Sequence, residues 1–281
     1  MKRIVLTLGL MLALAASAQA AEKKPRLVKL PAPVWRDADA ENTMVIDTNQ
    51  GRIIVELVPQ AAPQSVARVK QLVRLHFYDG LTFFRVIDDF MAQTGDPQNT
   101  GMGGSVMPNV PGEFGFKLAG GDLTVVDHPP GQDAGFIGAL PVISQPAAMA
   151  VLMADGKIDA HPTFCQGVIG MARAEDPNTA NSQFFLMRQA RDSLDGKYAA
   201  FGRVIVGEDV VRAIKTGEPV PDPQDRMTRV QMLADIPDGV RPSVKVVDTK
   251  SAYFADLVNN ARIAEGDDFN ICDVDVAGSV K

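Results

Sequence analysis

Residues 83–96 read FFRVIDDFMAQTGD and set one arginine, Arg85, among Phe83, Phe84, Val86, Ile87, Phe90 and Met91, with Gln93 two residues beyond. A guanidinium keeps its charge and carries five N–H donors, so in apolar surroundings it needs acceptors. Taken alone, the stretch fits two readings equally well. One is a structural arginine paired with a core carboxylate; the other is a functional donor. Residues 170–187, GMARAEDPNTANSQFFLM, shift the balance. Small residues lead into a turn, and Gln183 then stands beside Phe184 and Phe185.

Together the two segments resemble the cyclophilin family of peptidyl-prolyl cis-trans isomerases. The family pattern is a phenylalanine, usually a histidine, then arginine, followed by Phe-Met-x-Gln-x-Gly-Asp. A Met-Ala run, Pro-Asn-Thr and Ser-Gln-Phe-Phe come later. This chain supplies Phe83, Arg85, Phe90, Met91, Gln93, Gly95 and Asp96, then Met171, Ala172, Pro177, Asn178, Thr179, Ser182, Gln183, Phe184 and Phe185. The resemblance implies a mainly β fold, a closed antiparallel barrel capped by two helices. It also implies site roles. Arg85 is the catalytic donor, with Gln93 beside it. Phe90, Met91, Phe185 and Leu194 line a proline socket, with Tyr198 where many members have histidine. Gln93 and Gln183 hydrogen-bond the peptide backbone and the guanidinium, and Ala172 and Arg173 offer main-chain atoms to an extended peptide. Three departures stand out. Phe84 replaces the common histidine. Arg173 replaces the asparagine of eukaryotic members. Ser193 stands where many of those have tryptophan, which argues against tight cyclosporin binding but not against catalysis.

The implied chemistry is undemanding in reagents. Rotation about an X–Pro bond faces a barrier of about 18–20 kcal/mol from amide conjugation. No bond breaks, so no cofactor, metal or nucleophile is expected. A site need only favour the twisted amide over both planar forms. Twisting makes the proline nitrogen pyramidal, and a fixed donor aimed at it favours that state. The partners expected are proline-containing unfolded or partly folded polypeptides. The alternative reading is a non-catalytic peptide-binding module or holdase chaperone on the same barrel.

The N-terminus predicts export. Lys2 and Arg3 precede an apolar run from Ile4 to Ala16, and Ala18-Gln19-Ala20 is a small-residue cleavage site. This reads as a signal peptide over residues 1–20; the run is too short for the usual membrane span. A periplasmic location follows, with no integral membrane segment after cleavage. The formal charge is −6, and losing Lys2 and Arg3 takes it to −8. That balance argues against nucleic-acid binding, which favours a basic face. The 46% hydrophobic content suits a globular chain with a real core. The two cysteines, Cys165 and Cys272, invite a disulfide in an oxidising compartment, with two unpaired thiols as the alternative.

The chain divides into an N-terminal arm (21–42), the cyclophilin-like domain (43–235) and a C-terminal extension (236–281). Residues 43–57 read as a hairpin with Met44, Ile46, Ile53, Val55 and Leu57 inward. Ser65 to His76 and Glu208 to Lys215 read as the two helices. The tail predicts a third, with Phe254, Leu257, Val258 and Ala261 on one face. From about 117 to 165 the family pattern is interrupted by an insertion whose apolar content argues for order. It feeds into the strand carrying Ala172 and Arg173 and so is expected to wall the cleft. Its removal is expected to leave the barrel folded. His128, His161 and Cys165 lie in or beside it without the compact spacing of a zinc motif.

Overall fold

The computed structural model describes residues 26–281 apart from Gly120. The predicted signal peptide, 1–20, lies outside the described residues. The arm carries β1 (Trp35–Asp37). The predicted hairpin is β2 (Thr43–Thr48) with β3 (Gly51–Leu57), followed by α1 (Pro63–Arg74), β4 (Arg85–Ile87) and β5 (Met91–Thr94). The insertion holds β6 (Phe116–Ala119), β7 (Thr124–Asp127), β8 (Asp133–Ile137), β9 (Leu140–Ser144) and β10 (Lys157–Pro162). Then come β11 (Val168–Met171), β12 (Phe184–Met187), β13 (Ala200–Val206), α2 (Glu208–Ala213) and β14 (Met227–Met232). The tail adds β15 (Val244–Val247), α3 (Ala252–Glu265) and β16 (Gly278–Val280).

Eight strands form one sheet in the order β14-β2-β3-β13-β11-β12-β5-β4, with every neighbouring pair antiparallel. Its two ends meet through isolated bridges rather than a full ladder. Thr82 pairs with Arg226 and Val86 with Gly217, and Met227 N–H donates to Leu81 O at 2.9 Å. The sheet thereby curls into the barrel and covers its own edges. Inside lie the predicted Met44, Ile46, Ile53, Val55 and Leu57, together with Phe83, Phe184 and Phe201. The inward stripe of α1, with Val66, Val69, Leu72 and Val73, packs in the same cluster. Ala62 cannot cap α1, so Glu113 does so from a distance. Its carboxylate accepts from Gln64 N, Ser65 N and Ser65 Oγ, each at 2.8 Å. A carboxylate there satisfies free N–H groups and meets the positive end of the helix.

A half-exposed antiparallel hairpin buries alternate residues. Here Val45 and Ile54, on the other face, are buried too. They belong to a second core made with Phe136 and Leu140 of the insertion and Val246, Phe254 and Val258 of the tail. The insertion forms a five-stranded sheet, β6-β10-β9-β8-β7, while arm and tail share a three-stranded sheet, β1-β15-β16. Phe136 on β8 meets Phe254 on α3 edge to face at 5.6 Å. Arg262 of α3 holds Asp127 of β7 at 2.6 Å. Glu56 of β3 joins these parts. It pairs with Arg36 of the arm at 2.7 Å and accepts from Ala139 N, in the β8–β9 turn, at 2.8 Å.

The insertion is therefore not a detachable wall, as its place in the sequence suggests. Removing residues 117–162 would strip apolar partners from Val45, Ile54 and Phe254, so a barrel that folds without the insertion would do so with this outer face uncovered. Cys165 and Cys272 are joined by a disulfide, with 5.1 Å between their Cα atoms and 107 residues of separation. It fastens the tail to the segment between β10 and β11. Replacing both cysteines by serine should lower stability to urea, by at most about 4.7 kcal/mol on the chain-entropy account for a loop of this order. Proteolysis after Pro242 should quicken. An unchanged midpoint and an equally protected tail would show that packing alone holds it.

Candidate active site

The barrel register places four residues in one row across four strands. Arg85 on β4 faces Gln93 on β5, Gln93 faces Phe185 on β12, and Phe185 faces Gly170 on β11. The polar end of this row is linked by hydrogen bonds. Arg85 Nη1 donates to Gln93 Oε1 at 3.2 Å, and Gln93 Nε2 donates to Gln183 Oε1 at 2.9 Å. Gln183 Nε2 in turn donates to the carbonyls of Gly101 and Gly103 at 3.0 and 2.7 Å. The order fixes which amide end each glutamine presents. On its other side Arg85 Nε donates to Glu218 Oε1 at 2.5 Å. Glu218 is 56% exposed and Arg85 35%. The carboxylate is thus at the surface, not in the core, and the arginine is only partly buried.

The loop that receives Gln183 is built on Asp96, which has no exposed surface. Its carboxylate accepts from Gln98 N, Thr100 N, Gly101 N and Gly103 N at 2.7–3.2 Å. Burial alone would raise its pKa, but these four N–H donors outweigh burial and hold it below the usual carboxylate value. Gly95, just before it, has φ +88°, and a Cβ there would lie 2.4 Å from Ser182 O. Only glycine allows β5 to end this close to the start of β12.

The expected socket residues gather in one place. Met91 and Phe185 are buried in the second core, and Phe90, Leu194 and Tyr198 pack against it, partly exposed. Phe185 meets Tyr198 edge to face at 6.0 Å and is stacked from behind by Phe164 at 5.8 Å. A Cβ on Gly170 would lie 2.7 Å from both of the stacked rings, so the glycine leaves room for them. Gln93, Ala172, Arg173 and Gln183 line one depression of about 540 Å³ beside this floor. Ala172 N–H donates to Gln183 O at 2.9 Å, so what it can offer a peptide is its carbonyl. Arg173 is tethered: its guanidinium donates to the carbonyls of Lys197, Ala174 and Glu175 and lies 4.4 Å from the centre of the Tyr198 ring.

Three residues of this site are absent from the sequence reading. Glu218 sits in a proline-rich loop without a motif, and Phe164 lies at the end of the insertion. Phe114, 5.6 Å from the Arg173 guanidinium, lies outside both motifs. Only the neighbouring Cys165 hinted that Phe164 stands at a junction.

A curled eight-stranded antiparallel barrel with arginine, two glutamines and an aromatic floor on one face defines a prolyl-isomerase scaffold. Residues 43–233 match the family described as cyclophilin type peptidyl-prolyl cis-trans isomerase/CLD. A probable peptidyl-prolyl cis-trans isomerase of Brucella suis is 34% identical over 191 residues, which cover 64% of this chain and 74% of that one. Peptidyl-prolyl cis-trans isomerase-like 1 of Mus musculus is 29% identical, over 76% of this chain and all of its own length. The crystal structure of cyclophilin AquaCyp293 from Hirschia baltica superposes with a TM-score of 0.80 at 32% identity, covering 88% of this chain and 93% of that one. The chain belongs to the cyclophilin-type peptidyl-prolyl cis-trans isomerases.

Two outcomes follow from the site's supports. Phe164→Ala should cost about 3–5 kcal/mol, as for other fully buried aromatics, and should lower turnover because Phe185 loses its backing. Normal kcat/KM in a destabilised variant would show that Phe185 holds its place alone. Asp96 has a folded-state pKa below the unfolded value of about 3.9. Its stabilising contribution is therefore complete above that value and is lost as pH falls through the folded one. Asp96→Asn should cost about 1.5–3 kcal/mol at neutral pH, the range for hydrogen bonds to a charged group. The gap between wild type and variant should narrow below about pH 4; a constant gap in urea midpoints across that range would contradict it.

Proposed function

We propose that this isomerase works by aiming Arg85 at the proline nitrogen of a twisted X–Pro bond held over the floor of Phe185 and Met91. The supporting observation is the chain of hydrogen bonds from Arg85 through Gln93 to Gln183. It restrains one side of the guanidinium while Glu218 restrains Nε. Among the described residues Nη2 makes no bond. It is the donor left to meet the nitrogen lone pair as the amide loses conjugation. One preorganised donor of this kind contributes about 3–4 kcal/mol, and desolvation and peptide positioning supply the rest. Gln93 keeps the fork in plane. Phe90, Leu194 and Tyr198 enclose the ring, and Gln183, Ala172 and Arg173 border the path of the flanking peptide. The substrates are unfolded or partly folded polypeptides. The location is the periplasm, supported by the signal-peptide pattern of residues 1–20. Among the described residues no helix is long and apolar enough to cross a membrane.

A holdase role on the same fold draws on a different observation. Val151 and Leu152, in the insertion, are 89% and 74% exposed. The two activities separate at Arg85. Arg85→Ala should lower kcat/KM on a short proline peptide by about 10²–10³-fold, the loss typical of one preorganised donor, with little change in melting temperature. Suppression of client aggregation by the same variant should be unchanged. A folded variant with wild-type turnover would remove Arg85 from the mechanism.

A further inference from the structure

We propose that the outer face of the insertion sheet is a second polypeptide subsite, which holds the client chain beyond its proline. The inference rests on the isomerase reading above. The sheet carries an open groove of about 600 Å³ lined by Phe116, Lys117, Ile143, Gln145, Asp159 and His161.

The groove adjoins the catalytic cleft across the contact between Phe114 and Arg173. Phe114 and Gly196 also line it. The Phe114 ring lies against the Arg173 guanidinium, that guanidinium covers Tyr198, and Tyr198 meets Phe185. Gly196 belongs to the turn that carries Leu194 and Tyr198. Only this row of side chains, Phe114, Arg173 and Tyr198, separates the proline floor from the groove, so a peptide that leaves the floor past Tyr198 meets the groove next.

The groove's chemistry identifies the occupant. Along β10, Ile158, Ala160 and Pro162 turn into the core, which leaves Asp159 and His161 outward. Ile143 stands beside His161 across the sheet, and Lys117 beside Asp159, with 2.8 Å between their charged atoms. The floor thus has an apolar side chain, Ile143, an imidazole, and a charge pair neutralised in place, with Phe116 at its margin. Gln145 accepts Asp159 N–H at 2.9 Å and keeps its NH₂ as a donor. A neutral floor of mixed donors, acceptors and apolar patches is poorly suited to a phosphate or a lipid surface. It suits an extended polypeptide, which alternates backbone amides with side chains.

The test compares a proline tetrapeptide with a proline peptide of about a dozen residues, which reaches roughly 40 Å when extended. In the double variant Ile143→Ser/His161→Ser, kcat/KM on the tetrapeptide should stay within about twofold of wild type. On the long peptide it should fall about tenfold, the worth of one half-buried apolar contact. Asp159→Lys is a second, milder variant that makes the groove basic. It should favour long peptides with acidic over basic flanks, where wild type does not discriminate. Equal losses on both lengths, or no loss on either with no gain in charge preference, would overturn the subsite. Wild type inactive on the tetrapeptide would instead overturn the isomerase reading, so the two failures are distinct.

Discussion

The site depends on strand register. Arg85, Gln93, Phe185 and Gly170 come from four strands and meet because those strands pair residue for residue. A slip of one residue would turn each side chain to the opposite face. Phe184 and Phe185 show what is at stake: the first fills the barrel interior, while the second forms the outer floor. The polar link from Arg85 to Gln183 and the aromatic stack from Tyr198 to Phe164 are two readings of one alignment. Gly95 and Gly170 remove the Cβ atoms that would otherwise force the strands or rings apart.

Around this barrel the chain builds a second layer, and Glu56 is where the two meet. It is only 6% exposed, yet it holds a guanidinium from the arm and a main-chain N–H from the insertion. A buried carboxylate is stable only with such partners. Arg203, on the neighbouring strand, does the converse: fully buried, with its pKa pushed down by burial, it reaches Val274 O and Asp275 of the tail. The barrel's outer surface is thus studded with polar groups whose partners lie in the arm, the insertion and the tail.

Much of the barrel was legible because its signals are local. Hairpin alternation, the α1 stripe and two contiguous motifs bring Arg85, Gln93, Gln183 and Phe185 to mind together, and short antiparallel strands bring them together in space. Glu218, Phe164 and Phe114 were not legible, since each reaches the site from a loop whose position is set by distant packing. The second layer left a trace that was readable but weak. Val45 and Ile54 break the alternation of their strands, which signals a covered outer face, but nothing local says what covers it. The pairing of Trp35 with Val247 joins segments too far apart in sequence for periodicity to reveal, whereas the Cys165–Cys272 bridge was legible from an isolated cysteine pair in a chain with an export pattern.

The closure of arm against tail also sets an order of events during synthesis. β1 is among the first described segments to leave the ribosome, and its partner β15 is among the last. The barrel strands, from β2 to β14, are complete before β15 exists. For that interval Val45 and Ile54 lack the tail half of their cover, and Phe254 has not been made. Non-local pairings of this kind are slow to form and leave apolar surface open meanwhile.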